Sequence, residues 1–286
     1  MGTCIGCPCH ENGGNPTSDR SGDLSNWMSA LSDDISTTNL ALPGTHESMC
    51  LYGGCILQCQ KWSLTRQYEA GIRFVDIRCR HIDNELLIYH SSVYQNANFD
   101  NVLDDTFTFL DAHSQEAVFM RVRAEYLPEH NTKLFPEAVQ MLVDRYPSEK
   151  FWSGQEFPNM GDVRGKVVVL RDYLGPATFG LPYTYLDIED MYDVGTLLPK
   201  DIDRKWGSVR RHLEKALQGP RTTMYLTYCS GTGVLAWPFT VAHKINKRLG
   251  VFLDTPSGKR RLGIIAMDFP RSKLIGKITD SNFEVV

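Results

Sequence analysis

Apolar residues along this chain gather in short, nearly continuous runs that alternate with stretches of helical spacing. The runs Asn39–Leu42, Phe74–Arg78, Leu86–His90, Val118–Arg123, Val167–Leu170, Met224–Thr227 and Ile264–Asp268 read as strands. Between them, Leu64–Ala70, Phe99–Ala112, Phe135–Tyr146, Lys205–Ala216 and Val241–Leu249 carry the helical period. Strands apolar on both faces, separated by helices, predict a parallel sheet covered on both sides. A single α/β domain, closed as a TIM-type βα barrel over residues 25–286, is the economical arrangement. Residues 1–24, rich in Gly, Ser, Asn and Asp, read as a flexible tail.

The two-residue strand period then places polar groups where a structural barrel would carry Val, Ile or Leu. Phe74, Asp76 and Arg78 share one face, as do Arg121, Arg123 and Glu125, while His90 and Asp268 each end an apolar run. Charged groups at the carboxyl ends of barrel strands read as catalytic. Arg121, Arg123 and Glu125 also fit a buried ion network.

Composition sets limits on the partners. The 286 residues are 42% hydrophobic and 22% charged, with a formal net charge of −4 and no basic tract, so no nucleic-acid partner is expected. No run of about 18 apolar residues is present, so no spanning helix is expected. The start, Met1-Gly2-Thr3-Cys4-Ile5-Gly6-Cys7-Pro8-Cys9-His10, lacks the basic and apolar regions of a secretory signal. It suits N-terminal acylation of Gly2 and the cysteines, a small metal site with His10, or a plain tail. A cytoplasmic or peripheral membrane location is expected. Cys50, Cys55 and Cys59 are near enough in sequence to bridge, although free thiols are preferred here.

Thr45-His46-Glu47 and Tyr89-His90-Ser91, with Asp76-Ile77-Arg78 between them, supply two imidazoles and a guanidinium. An attacking hydroxyl must lose a proton and a leaving alkoxide must gain one, and two histidines do both near neutral pH. Charge gathering on a phosphorus transition state needs a fixed cation, and Arg grips phosphate bidentately.

With these motifs, and with Leu42-Pro43-Gly44, Gly71-Ile72-Arg73, Arg121-Val122-Arg123-Ala124-Glu125, Gly165–Arg171, Asp190-Met191-Tyr192, Ser230–Gly233 and Ile265–Asp268, the chain resembles the bacterial-type phosphatidylinositol-specific phospholipase C family. The resemblance implies cleavage of phosphatidylinositol, with glycosylated anchors left open, to diacylglycerol and inositol 1,2-cyclic phosphate. It implies that His46 is the general base, Asp268 its orienting carboxylate, Arg78 the phosphate holder fixed by Asp76, and His90 the general acid. Glu47, where bacterial members usually have Asp, would assist His90. Arg123, Arg171 (or Asp172 in its place), Asp190 and Tyr192 would bind the inositol ring. Trp237, with Trp62 as the alternative, would meet the interface of phosphatidylinositol-containing membranes.

No cofactor and no metal are expected. Calcium-dependent relatives carry further carboxylates in the second strand, where this chain has the cation Arg78. A monomer is expected. The rivals are a metal-dependent glycerophosphodiesterase or sphingomyelinase D-like enzyme on the same barrel, and an inactive lipid-binding module.

Overall fold

The computed structural model describes residues 23–175, 179–255 and 259–283. The strands are β1 (Ala41–Thr45), β2 (Phe74–Ile82), β3 (Glu85–His90), β4 (Val93–Asn98), β5 (Val118–Ala124), β6 (Val167–Asp172), β7 (Leu181–Pro182), β8 (Asp187–Glu189), β9 (Tyr225–Tyr228) and β10 (Gly263–Met267). The helices are α1 (Gly54–Leu57), α2 (Leu64–Glu69), α3 (Phe99–Ala112), α4 (Phe135–Val143), α5 (Met160–Val163), α6 (Pro199–Gln218), α7 (Pro238–Leu253) and α8 (Ser272–Asp280).

The sheet runs β7-β6-β5-β2-β1-β10-β9-β8, and every neighbouring pair along that path is parallel. In chain order this is a βα barrel whose seam falls between the short strands β7 and β8. Alternate residues face two cores. Leu42, Phe74, Phe119, Val168, Leu170, Leu226, Ile264 and Ala266 fill the lumen. Val75, Ile77, Met120, Val122, Val169, Ile265 and Met267 pack against the helices. Gly44 stands opposite Phe74, and a Cβ there would sit 2.7 Å from the Phe74 ring, so β1 and β2 close together only around a glycine.

A strand forms at each of the seven expected places, the first displaced from Asn39–Leu42 to Ala41–Thr45, but β3 does not belong to the barrel. It runs antiparallel to β2 through the turn Asp83-Asn84, whose residues take φ of 50° and 66°. Both central residues being left-handed is the requirement of a tight type I′ hairpin, met here by an Asp-Asn pair. β4 extends this excursion, pairing His90 with Val93 across a second turn at Ser91. The expected parallel strand ending at His90 is therefore a hairpin that leaves the barrel rim and returns to it.

The bottom of the barrel is closed by Trp27, Met28 and α5. There Arg73, 0% exposed, pairs with Glu116 at 2.7 Å and donates to the carbonyls of Tyr68, Ile72 and Ser25. Leu24, assigned to the tail by sequence, packs against the core and belongs to the body. The expectations for acylation or a metal at Cys4, Cys7, Cys9 and His10 lie outside the described residues. Among the described residues no helix is long and apolar enough to cross a membrane. Cys50 and Cys59 are free thiols, as expected, whereas Cys55 is disulfide-bonded.

Candidate active site

The carboxyl end of β1 bends sharply at Glu47, a non-glycine residue at φ 44°. That conformation is held from several sides: Thr45 Oγ1 lies 2.7 Å from Ser48 Oγ, Asp76 N donates to Ser48 Oγ, and Glu47 N donates to Asp76 Oδ2. Strain kept in place by this many bonds aims the flanking side chains into the barrel mouth.

His46 Nδ1 lies 2.9 Å from Asp268 Oδ1, and Gln60 Nε2 donates to the carbonyls of His46 and Met267, clamping β1 to β10. Burial works against charge on this imidazole, but the Asp268 carboxylate outweighs it, and the His46 pKa is raised. Arg78 Nη1 lies 2.5 Å from Glu47 Oε1, and Arg78 Nη2 donates to Asp76 Oδ2 at 3.1 Å. Asp76 is also bonded through Oδ1 to Arg121 Nη1 at 3.1 Å, and Arg121 bonds onward to Tyr228 and Asp172. Burial alone would raise the Asp76 pKa, yet the two guanidinia hold it well below the usual carboxylate range. Burial pushes Glu47 up to about 7 against the pull of Arg78.

His90, delivered by the hairpin, has Nε2 3.7 Å from Glu47 Oε1 and Nδ1 2.9 Å from Cys50 Sγ. Burial disfavours its charge, but the Cys50 and Glu47 contacts prevail and raise it to about 9. Ser91 N donates to Glu125 Oε1, so the end of β5 pins the turn that carries His90. The result is two imidazoles, each on a separate support, around one guanidinium whose charge acts on both.

The family described as phosphatidylinositol-specific phospholipase C, X domain, matches residues 45–173, which carry both histidines and Arg78. The 1-phosphatidylinositol phosphodiesterase of Listeria monocytogenes is 29% identical over 90% of this chain and 84% of that protein. Residues 45–173 thus match the phosphatidylinositol-specific phospholipase C X-domain family, and the chain is similar to the Listeria enzyme over most of its length. The solved structure of the Listeria phosphatidylinositol-specific phospholipase C superposes with a TM-score of 0.77 at 27% identity, over 91% of this chain and 99% of that one. A Staphylococcus aureus phosphatidylinositol-specific phospholipase C structure gives 0.80 at 24% identity, over 91% and 98%, a likeness of fold.

His46, Glu47, Asp76, Arg78, His90 and Asp268 come together in one cluster. Arg123 is placed beside it, in register with Arg78 and 41% exposed at the side chain, with Nε 3.9 Å from Asp172. Arg171 is not in the cluster. It shares the outward parity of Val169, and its Nε donates to Gly180 O, while Asp172, the next residue, turns inward to Arg121. A one-residue step along a strand changes the face, so of the two residues the resemblance left open, Asp172 and not Arg171 is the one that faces the cluster.

Asp190 and Tyr192 are exposed on the segment after β8, where Tyr192 O accepts from Thr232 N. Trp237 caps α7 at 40% exposure beside Val234 and Leu235. Trp62 is half-buried, packed on one side against the helix-side core.

Sequence reasoning overlooked Cys50 as a partner of His90, and Lys205. The Lys205 side chain is fully buried and donates to the Tyr228 carbonyl at 2.7 Å, with its pKa lowered by burial. A lysine at a core position of the amphipathic helix α6 was the available signal.

Proposed function

We propose that this protein cleaves phosphatidylinositol by intramolecular transfer, giving diacylglycerol and inositol 1,2-cyclic phosphate. The observation that carries the reading is the His46–Asp268 pair at 2.9 Å facing a guanidinium that also acts on His90. His46 takes the proton of the inositol 2-hydroxyl, whose oxygen attacks phosphorus. Asp268 holds the imidazole in the required tautomer and stabilises its charged form. Arg78 meets the charge that builds on the phosphoryl oxygens, and Asp76 fixes its fork. His90 gives its proton to the departing diacylglycerol oxygen, and Glu47 stabilises its protonated form. The same imidazoles with exchanged roles open the cyclic ester more slowly with water.

The donor set favours metal-independent chemistry. Asp76 and Glu47, the carboxylates nearest Arg78, are both paired to that guanidinium, and Asp76 is further paired to Arg121. A hard cation seeking six to eight oxygens would meet a fixed positive charge there. Arg123 and Asp172, beside the cluster, are assigned to the inositol hydroxyls, together with Asp190 and Tyr192 on the segment after β8. Val234, Leu235 and Trp237 present apolar surface toward a phosphatidylinositol-containing membrane. One chain supplies the whole reacting set, which supports action as a monomer.

The test is phosphorus NMR of phosphatidylinositol vesicles incubated with the protein in excess EDTA. A five-membered cyclic phosphate signal is expected first, with slow conversion to inositol 1-phosphate. Direct formation of the acyclic monoester, or activity only after calcium addition, would overturn the mechanism.

A further inference from the structure

Cys50 and Cys59 are free thiols, 1% and 0% exposed, lying against the reacting cluster. The chain folds back between them, with Cys59 N donating to Cys50 O at 3.1 Å. Their sulfurs converge on one carbonyl, Leu57 O, at 3.1 and 3.2 Å. Cys50 Sγ lies 2.9 Å from His90 Nδ1, and one donor atom from each of Cys50, Cys59 and His90 lies within 4.8 Å of the others. Cys59 has a similar relation to His46 and Asp268, but there the imidazole Nδ1 is already bonded to Asp268.

We propose that Cys50, Cys59 and His90 form a binding site for a thiophilic divalent cation of the zinc class, and that its occupation blocks turnover. Two sulfurs and an imidazole nitrogen are soft and borderline donors that suit zinc and not calcium or magnesium. Ligand atoms about 2.3 Å (sulfur) and 2.0 Å (nitrogen) from a tetrahedral ion lie roughly 3.5–3.8 Å from one another. The trio is within small side-chain adjustments of that spacing: the Cys50–His90 contact of 2.9 Å must open, and all three separations already lie within 4.8 Å. Three protein ligands leave the fourth position to water.

Glu47 Oε1, 3.7 Å from His90 Nε2, stands on the far side of the ring, where a carboxylate orients a ligating imidazole. The His90 side chain is 19% exposed and provides the route in. On binding, the thiols and the imidazolium of His90 release protons to solvent, and the neutral imidazole then contributes its Nδ1 lone pair, with no change of oxidation state. His90 so engaged is no longer an imidazolium: the one proton it keeps, on Nε2, is that of a neutral ligating imidazole and is too weakly acidic to serve the leaving oxygen. Cation binding stands on the geometry alone, whereas its effect on turnover rests on the role proposed for His90 above.

The test uses the full chain, reduced and then freed of reductant under anaerobic conditions, titrated with Co2+. Thiolate-to-cobalt charge-transfer absorption with the visible bands of tetrahedral cobalt is expected, displaced by Zn2+. Cys59→Ser and, as a second variant verified as folded by circular dichroism, Cys59→Ala are expected to bind on the order of 100-fold more weakly. Cysteines elsewhere contribute equally to every variant, so the difference spectrum reports the trio. In phosphatidylinositol cleavage, stoichiometric Zn2+ is expected to silence the wild type reversibly by chelator, while both Cys59 variants keep their basal rate and resist it.

Absence of the charge-transfer band, or a band of equal strength in both Cys59 variants, would overturn the site. A full band with undiminished turnover would overturn the block. A full band in a protein that never cleaves phosphatidylinositol would refute the proposed function and leave the cation site standing.

Discussion

Asp76 and Arg121 face each other in register on β2 and β5 and form a buried ion pair, Oδ1 to Nη1, of 3.1 Å. The pair supports chemistry it does not perform, because the second oxygen of Asp76 holds Arg78. Arg121→Met leaves Asp76 with one cation and is expected to cost about 3–5 kcal/mol of stability, measured by urea unfolding. The Asp76 pKa is depressed in the folded state, so its contribution is present above the unfolded value of about 3.9 and fades as pH falls. The stability gap between wild type and Asp76→Asn is therefore expected to be widest near neutrality and to narrow below about pH 4. A gap that grows on acidification would contradict this account.

The rate of phosphatidylinositol cleavage is expected to follow a bell in pH. The base must be neutral, and the raised His46 pKa puts the acid limb above the usual histidine value of about 6.5. The acid must be protonated, which places the alkaline limb at about 9. Cys50→Ala removes a contact that favours the charged His90, so the alkaline limb is expected to shift to lower pH while the acid limb stays. If the alkaline limb keeps its position in that variant, Cys50 does not set the acid.

Asp268→Asn preserves the shape of the His46 pair but removes the charge that favours imidazolium. A fall in kcat of ~10²–10⁴ is expected, with the acid limb displaced downward. Unchanged kcat in Asp268→Asn would show that His46 works without its partner.

Val234, Leu235 and Trp237 are 88%, 66% and 40% exposed on the segment leading into α7. Trp237→Ala is expected to weaken binding to phosphatidylinositol-containing vesicles by roughly tenfold or more. Hydrolysis of soluble inositol cyclic phosphate should be untouched. Equal losses on both substrates would place Trp237 in the site instead of at the membrane.

The barrel was legible because its parallel strands are buried on both faces and carry polar groups only at their ends. Asp76 and Arg78 could be placed on one face of their strand from alternation alone, whereas the expected first strand stopped short of His46. Two kinds of information were hidden. The first is strand direction: Leu86–His90 is as apolar as a barrel strand, and only the left-handed Asp83-Asn84 turn makes it antiparallel. β7 and β8, at two and three residues, are too short to show a period. The helix α8 was missed although Leu274, Ile275 and Ile278 have helical spacing. The second is contact across long separations. Cys50 meets His90 because α1 and its loops bring it under the hairpin, and no local pattern marks that meeting. Arg171 and Asp172 are adjacent, and the choice between them depended on a strand register that the resemblance left open.

The detour of β3 and β4 away from the barrel places the two proton stations on unequal foundations. His46 sits on a strand bonded on both sides within the barrel wall, whereas His90 rides at the second turn of a meander anchored through Glu125 and α3. Local opening of that meander would remove the donor of the leaving-group proton and leave the rest of the molecule folded. Exchange of its amides with solvent would then report how often the molecule is ready to finish a reaction it is always equipped to begin.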